Sequence, residues 1–170
     1  MFEYKHDVES ETLPSGRTYS TPDGKFPSIT TILGKTSNQV WLQAWKDKVG
    51  EEEAARISKE ATDRGTLVHE YAEKFFNKEN MVGEWKGIPA IIDFKTSRKK
   101  KYIRQIKDYF LQCTGYAYAH NELYNTNIKK IVIAITVENN EPQIFETNAL
   151  VHVPDLKYRI AQFYKLNLEK

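Results

Sequence analysis

Two strand-like runs, separated by a long helical segment, most constrain how this chain can fold. Ile88–Lys95 contains a continuous apolar stretch, and Ile128–Val137 is rich in the β-branched residues that favour strands. Between them, the spacing of Tyr102–Tyr124 predicts a long helix. A short turn then leads into Gln143–Thr147, which alternates as an antiparallel partner strand does. Strands flanked by helices in this order predict a mixed α/β layer fold.

The remainder of the chain is predicted to add short strands and further helices. Residues 1–34 carry turn signals around a short strand, Arg17-Thr18-Tyr19-Ser20, and then a capped helix start after Pro27. Helices are also predicted over Gln39–Val49, over Glu51–Lys59 and, at the end of the chain, over Pro154–Leu166. A further helix is predicted from a cap at Thr62 or Asp63 to Asn77, with Leu67 in the apolar stripe that faces the core. After it, Met81–Trp85 and Ile88–Lys95 are predicted to form a hairpin around the turn Lys86-Gly87. We expect one domain over residues 1–170, with an N-terminal extension at 1–50 and a core at 51–170.

Length, charge and cysteine content indicate the number of domains and the cellular compartment more than the function. The 170 residues suit one domain, and the net charge of +2 is almost neutral. Cys113 is the only cysteine, which excludes a disulfide or a thiolate zinc site within the chain. No N-terminal apolar run and no stretch of about 20 apolar residues is present. We therefore expect a protein of a reducing, cytoplasmic compartment with no membrane partner.

Asp93 and Lys95 are the central chemical feature. Residues i and i+2 of a strand point to the same side, so these two share one face while Phe94 takes the other. A carboxylate can bind a hard cation such as Mg²⁺, and an ammonium can neutralise charge on a phosphate in the same reaction centre. The alternative is a salt bridge at a strand end, and the tripeptide alone does not decide between the two.

Two pairs of residues spaced four apart on helices are further candidates. His69 and Glu73 lie on one helix face, where an imidazole and a carboxylate can ligate Mn²⁺ or Mg²⁺. Gln112 and Tyr116 lie together on the helix after the Asp93 strand, where the amide can donate to a phosphate or orient a water. The alternatives are a surface His–Glu contact and a polar position beside a half-buried aromatic ring.

A block of seven cations against two aspartates extends from Asp93 to Asp108. These cations are Lys95, Arg98, Lys99, Lys100, Lys101, Arg104 and Lys107. The block is either a solvated surface or a phosphate-binding surface, which would hold nucleic acid without reading its sequence. Trp41 and Trp45 can similarly either pack in the core or stack on unpaired bases.

Together these motifs resemble the RecB-like branch of the PD-(D/E)xK nucleases, and within it the phage exonucleases similar to the mitochondrial genome maintenance exonuclease. The matching residues occur in the family's order between residues 17 and 124. They are Pro27-Ser28-Ile29-Thr30-Thr31-Ile32-Leu33, Trp45 with Val49-Gly50, Arg64-Gly65-Thr66 with His69 and Glu73, Ile91-Ile92-Asp93-Phe94-Lys95-Thr96-Ser97, and Gln112 with Tyr116.

The resemblance implies a restriction-endonuclease-like fold, in which helices flank a mixed sheet core, and an exonuclease that uses Mg²⁺ or Mn²⁺. Its expected partner is DNA, cleaved from its ends with a preference for single strands and without sequence specificity, in the host cytoplasm if the chain is phage-encoded. Asp93, Lys95, Gln112 and Tyr116 become catalytic, and His69 and Asp93 become metal ligands, with Glu73 a further candidate. The candidate DNA-binding residues are Ser28, Thr30, Arg64, Thr66, Ser97, Arg98, Lys99, Lys100 and Arg104. The motifs predict neither end polarity nor oligomeric state.

One position departs from the family pattern. The family carries another metal-binding aspartate on the preceding strand, and this chain has Asn80 there without a preceding glycine. Either Asn80 weakens metal binding, or Glu79 or Glu84 takes over the role, or a segment that carries the aspartate is missing before the hairpin. We favour the third, which an intact mass equal to that of this sequence would exclude. If the chain is complete, the alternative function is a DNA-binding module that keeps the nuclease fold without catalysis.

Overall fold

The computed structural model describes residues 9–79 and 84–168, the side chains of 71–79 and 167–168 excepted. It has two sheets and five helices. The strands are β1 (Ser10–Leu13), β2 (Gly16–Thr21), β3 (Gly24–Pro27), β4 (Glu84–Trp85), β5 (Ile88–Ser97), β6 (Lys130–Val137) and β7 (Gln143–Asn148). The helices are α1 (Ile29–Thr36), α2 (Val40–Val49), α3 (Glu51–Glu79), α4 (Lys107–Tyr124) and α5 (Ala149–Leu168). The predicted mixed α/β class is confirmed.

The first sheet is an antiparallel meander that leads directly into α1. Its order is β1-β2-β3, and Ser28 caps α1 by accepting the Thr31 N–H at 3.1 Å. The Thr31 hydroxyl in turn donates to the Arg17 carbonyl at 3.1 Å and accepts the Arg17 N–H at 2.9 Å, which fixes α1 to β2. A Cβ at Gly16 would lie 2.4 Å from the Thr31 side chain, so this close approach requires glycine. The predicted short strands and capped helix are confirmed.

Helix α3 is continuous, and the predicted break at Thr62 or Asp63 is wrong. Neither side chain caps a new helix, because both are used within α3. The Thr62 hydroxyl donates to the Ser58 carbonyl at 3.0 Å, and Asp63 pairs with Lys59 at 2.7 Å. The predicted core-facing position of Leu67 is also wrong, since its side chain is 51% exposed.

Helix α2 is confirmed as a helix but contributes nothing to the buried core. None of its ten residues, all within the described part of the chain, is buried. Trp41 is exposed and Trp45 is half-buried, so core packing is excluded for Trp41.

The second sheet has the order β4-β5-β6-β7, with β5 and β6 parallel and the outer pairs antiparallel. α4 follows β5 and precedes β6, as a parallel pair requires a crossover connection. The predicted hairpin turn is confirmed: Lys86 and Gly87 both have positive φ, 54° and 74°, as a type I′ turn needs. Met81–Gly83, predicted as the start of its first strand, lie outside the described residues. β4 and β7 are the two edge strands of this sheet, yet Trp85 on β4 donates to Glu146 on β7 at 2.9 Å. The sheet is therefore curled.

Two predicted helix boundaries are wrong. The helix expected from Tyr102 begins at Lys107, because a 3₁₀ turn at Ile103–Gln105 precedes it and the Gln105 side chain accepts the Tyr102 N–H at 2.8 Å. The last helix begins at Ala149, before Pro154. Asn148 accepts the Leu150 N–H at 2.9 Å and so caps the first turn, which lies upstream of the proline.

The main core lies between α4 and the second sheet. It contains Ile106, Phe110, Cys113 and Ala117 on the helical side and Ile131, Ile133, Ile135 and Val137 on β6. A second cluster of Leu33, Leu111 and Leu156 joins α1, α4 and α5. Arg159 braces the same three helices by donating to Asp108 at 2.9 Å and to Thr36 at 2.5 Å. Within residues 9–79 and 84–168, no helix combines the length and the apolar character needed to cross a membrane.

Candidate active site

Asp93 and Lys95 lie in the middle of β5 on the face that α4 covers. They pair with Ile133 and Ile135 of β6, whose side chains are fully buried in the main core. The Asp93 and Lys95 side chains are 11% and 18% exposed, and the Lys95 Nζ donates to Asp93 Oδ1 at 2.8 Å. The predicted shared face is therefore confirmed. The two side chains are much less exposed than those of a salt bridge on the protein surface.

The second carboxylate oxygen of Asp93 has spare capacity. Oδ2 is buried and lies 2.7 Å from Lys95 Nζ, yet it accepts no hydrogen bond of acceptable geometry from any described residue. A buried polar atom without such a bond is unusual in a native fold and needs an explanation, such as an unseen ion. A cation held on this oxygen would supply one.

Cys113 of α4 lies against Asp93 in the core. Its side chain is fully buried. Burial raises the pKa of the thiol strongly, and the negative charge of Asp93 raises it further. Because only the thiolate is a good nucleophile or ligand, the protonated thiol of Cys113 serves as packing beside the carboxylate.

Tyr109 is a site residue that the motif analysis missed. The Lys95 ammonium lies 5.2 Å from the centre of the Tyr109 ring, within the range of a cation–π contact. Burial, and then the charges of Asp93 and Asp108, raise the pKa of Tyr109, so its hydroxyl stays protonated. A signal was present in the sequence, because Tyr109 stands three residues before Gln112 and seven before Tyr116, on the same helix face.

Gln112 and Tyr116 are in direct contact, as their spacing predicts. The Gln112 amide donates to the Tyr116 hydroxyl oxygen at 2.8 Å. Burial raises the pKa of Tyr116; the bond from Gln112 acts in the opposite direction, and the charge of Asp93 raises the pKa again. Since Tyr116 accepts from Gln112, its own proton is available to donate to a substrate oxygen.

His69 approaches β5 from α3. Its Nε2 lies 2.8 Å from the Phe94 carbonyl oxygen, between the two residues of the pair. A carbonyl can only accept, so Nε2 must carry the proton and the remaining nitrogen, Nδ1, carries the lone pair of the neutral ring. His69 is thus beside the candidate site, but the nitrogen free to bind a metal is Nδ1.

The donor set suits a cation with few protein ligands. The described side chains hold no group of three His, Cys, Asp or Glu residues able to enclose a metal. Mg²⁺ often needs only one or two carboxylates and completes its shell with waters and substrate phosphates, so Asp93 alone fits this mode. The Glu73 and Glu79 side chains and the whole of Asn80 lie outside the described residues. Glu84 pairs with Pro89, about 13 Å along β5 from Asp93, too far to share the cation.

Several candidate DNA-binding side chains already have protein partners. The Ser28 hydroxyl is 5% exposed and lies 2.9 Å from the Thr30 hydroxyl while capping α1. Ser97 donates to the Lys99 carbonyl at 2.6 Å, and Arg98 forms an ion pair with Glu60 of α3. These contacts shape the backbone around the candidate site and leave little capacity for a phosphate.

Arg64 and Thr66 lie on α3, five and three residues before His69. Thr66 is exposed, and Arg64 is half-buried with its Nε buried and without a hydrogen-bond partner among the described residues. Among the described side chains of α3, Arg64 therefore has an unused buried donor.

The other cations form an exposed basic loop between β5 and α4, which we define as Lys99–Arg104. Lys99, Lys100, Lys101 and Arg104 have no carboxylate within 4.0 Å in the described part of the chain, whereas Lys107 pairs with Asp155 at 2.9 Å. The basic loop begins at Lys99, which is four residues after Lys95 and two residues after the end of β5. Its charge is thus unneutralised and close in sequence to the candidate site, as a phosphate-binding surface requires.

Comparisons with protein-family models and with curated protein sequences find no match to this chain.

Proposed function

We propose that this chain is a metal-dependent nuclease that hydrolyses phosphodiester bonds at DNA ends, preferring single strands, within a restriction-endonuclease-like fold. The observation that carries the proposal is the nearly buried Asp93–Lys95 pair on one face of β5, with an Asp93 oxygen that accepts no hydrogen bond. The adjacent basic loop supports DNA as the substrate, and its contacts are expected to be independent of sequence. The fold family and the preference for ends rest on the resemblance of the motifs.

A divalent cation would be held by Asp93 Oδ2, with His69 Nδ1 as a further donor. Mg²⁺ or Mn²⁺ in such a position supplies a Lewis acid for phosphate oxygens and acidifies water. Both side chains lie beside the same stretch of β5, since His69 contacts the carbonyl that follows Asp93. His69 favours Mn²⁺ over Mg²⁺, because nitrogen is a softer ligand than oxygen.

Lys95 and Tyr116 would act on the phosphate itself. The Lys95 ammonium has three N–H groups, and those not directed at Asp93 can donate to a phosphate oxygen as negative charge develops. The Tyr109 ring limits where the ammonium can move, which keeps it near the carboxylate. The Tyr116 hydroxyl, oriented by Gln112, provides a second donor for substrate oxygens.

The test uses end-labelled single- and double-stranded DNA with the wild type, Lys95→Met and Asp93→Asn, in Mg²⁺, Mn²⁺ or EDTA. We expect metal-dependent shortening from the ends by the wild type, and at least about a 100-fold loss in each variant, as for removal of one preorganised charge. Lys59→Met is the matched control, because Lys59 also pairs with an aspartate but lies on the exposed surface of α3. Absence of metal-dependent products from the wild type would overturn the proposal, and cleavage of circular DNA would indicate an endonuclease.

The second candidate function is a DNA-binding module without catalysis. It is favoured by the lack of any three-residue metal-ligand group among the described side chains and by the neutralisation of Asp93 by Lys95. This function predicts DNA binding that weakens steeply with salt, unchanged by Lys95→Met, and no cleavage in either metal.

A further inference from the structure

A cleft of about 460 Å³ opens between β2, the start of α1, and the helices α4 and α5. We call it the tyrosine cleft, because Tyr19, Tyr116 and Tyr118 form part of its wall. Ile29 and Ile160 add aliphatic surface, and Lys157 is its charged residue. Its size falls within the range of about 300–1,000 Å³ typical of small-molecule sites, and an apolar wall with few polar groups is likewise typical of them.

The chemistry of the wall selects for a flat, apolar group attached to an anion. No carboxylate is among the described residues that line the cleft, and Lys157 is exposed, where it can contact a phosphate. Ser28 is the buried polar side chain of the wall, and its hydroxyl is already paired with Thr30 and Thr31. An occupant would therefore be recognised by its face, through stacking, and hardly by hydrogen bonds to its edges.

The tyrosine cleft and the candidate active site share one residue, Tyr116. One part of this side chain lines the cleft, while its hydroxyl accepts from Gln112 at 2.8 Å. Gly115 lets α4 approach α1 closely beneath the cleft, since a Cβ there would lie 3.1 Å from Ile29. A group bound in the cleft would thus contact Tyr116, a residue of the candidate active site.

We propose that the tyrosine cleft binds an unpaired nucleobase of the strand whose phosphate is held by Asp93 and Lys95, an inference that rests on the proposed function. Stacking on aromatic side chains accepts any base, because every base has a π face. A base inside a duplex has both faces covered by its neighbours and cannot enter without leaving the stack. The cleft would therefore make the protein prefer single strands without preferring a sequence.

The test measures binding in EDTA, so that cleavage plays no part. Ala119 lines the cleft and is exposed, and Ala119→Trp would fill the space with a ring. We expect this variant to bind a fluorescent single-stranded oligothymidylate about ten-fold more weakly, the loss of one stacked base, and to bind a duplex of equal length with unchanged affinity. Ala161→Trp on α5 is the matched control, because Ala161 is also exposed on a helix but does not line the cleft.

A second variant and a second probe cover a failure of Ala119→Trp to fold. Tyr118→Ala removes one aromatic wall from a half-exposed position, and an oligonucleotide with abasic residues removes the bases themselves. We expect both to weaken single-strand binding, and the abasic strand to bind wild type and Tyr118→Ala equally. Equal single-strand affinities of wild type, Tyr118→Ala and any folded Ala119→Trp would overturn the proposal.

The outcome is separable from that of the proposed function. Loss of single-strand preference in these variants, with no cleavage by the wild type in Mg²⁺ or Mn²⁺, would support the nucleobase site and reject the nuclease. Cleavage by the wild type with unchanged binding in the variants would support the nuclease and reject the nucleobase site. An apolar peptide or a second copy of the chain as the true occupant would likewise appear as unchanged DNA binding.

Discussion

The two helices that flank β5 differ sharply in how they are held. α4 contributes five buried residues to the core, namely Phe110, Leu111, Cys113, Thr114 and Ala117. Along Glu51–Glu70 of α3, where side chains are described, Ala54 is the buried residue. α4 positions Tyr109, Gln112 and Tyr116 of the candidate site, and α3 positions His69. The α4 side of the site is therefore packed into the core, whereas Glu51–Glu70 of α3 is mostly exposed or half-buried.

Within Glu51–Glu70, helix α3 makes several polar contacts near the surface. Arg56 pairs with Glu53 and Glu60 on the same helix, and these neighbours raise the pKa of the guanidinium. The contacts of α3 to β5 and to the residues after it include the His69–Phe94 hydrogen bond and the Arg98–Glu60 ion pair. Exposed ion pairs stabilise little, so the side chains of Glu51–Glu70 hold α3 less firmly than the five buried side chains of α4 hold that helix.

The largest effect that would test this difference is on global stability. Leu111→Ala on α4 empties a fully buried position between Leu33 and Leu156, so we expect the free energy of unfolding to fall by about 2–5 kcal/mol. Leu67→Ala on α3 removes the same atoms from a half-exposed position and should change it by no more than about 0.5 kcal/mol. Urea denaturation measures both. Similar losses in the two variants would mean that α3 is as firmly packed as α4.

A smaller, pH-dependent effect concerns the hairpin that follows α3. Hydrogen bonds from Lys130, Trp85 and Lys86 lower the pKa of Glu146 to about 2, from an ordinary value of 4.5. Because the folded pKa lies below the unfolded one, the stabilisation is present above about pH 4.5 and is lost as the pH falls toward 2. Glu146→Gln should thus be less stable than the wild type at pH 6, with the gap closing by pH 2 in thermal melts. A gap that stayed constant over this range would show that the charge of Glu146 is not what ties β4 to β7.

The smallest effect is local to α3. His69→Ala removes the hydrogen bond to Phe94, and we expect amides of α3 near residue 69 to exchange about three- to five-fold faster. Exchange in α4 and the global unfolding free energy should stay the same. Glu70→Ala, an exposed neighbour on the same helix, is the control. Faster amide exchange in α4 as well would contradict the expectation that α3 and α4 are held independently of each other.

Local patterns predicted most elements because their signals lie within a few residues. The turn at Lys86-Gly87, the cap at Ser28 and the β-branched run of β6 each needed no distant information. The missed boundaries occurred where one residue type serves two roles. Thr62 and Asp63 can cap a helix or bond within one, and only the continuous α3 shows which applies. Similarly, Pro154 is typical of the first turn of a helix, but Asn148 caps α5 six residues earlier.

The candidate site was predictable in its members but not in its contacts. Strand alternation places Asp93 and Lys95 on one face, and helical spacing pairs Gln112 with Tyr116. Neither rule tells which helix covers which face, so the contact of Tyr109 with Lys95 needed the tertiary structure. The tautomer of His69 likewise depends on the Phe94 carbonyl, 25 residues away in the chain.

The parallel pairing of β5 with β6 has a consequence for when the protein acquires its site during synthesis. From Ala90 onward, each residue of β5 pairs with the residue forty positions later, from Ala90 with Lys130 to Ser97 with Val137. Such non-local pairing requires a long loop to close, and the chain loses conformational entropy before the stabilising contacts form. The pairing of β5 with β6 is therefore expected to be a slow step in folding. A nascent chain shorter than Val137 has no β6 on which α4 can pack. Asp93 and Lys95 would therefore stay open to water on the ribosome, and become enclosed only after the last residues of β6 emerge from the exit tunnel.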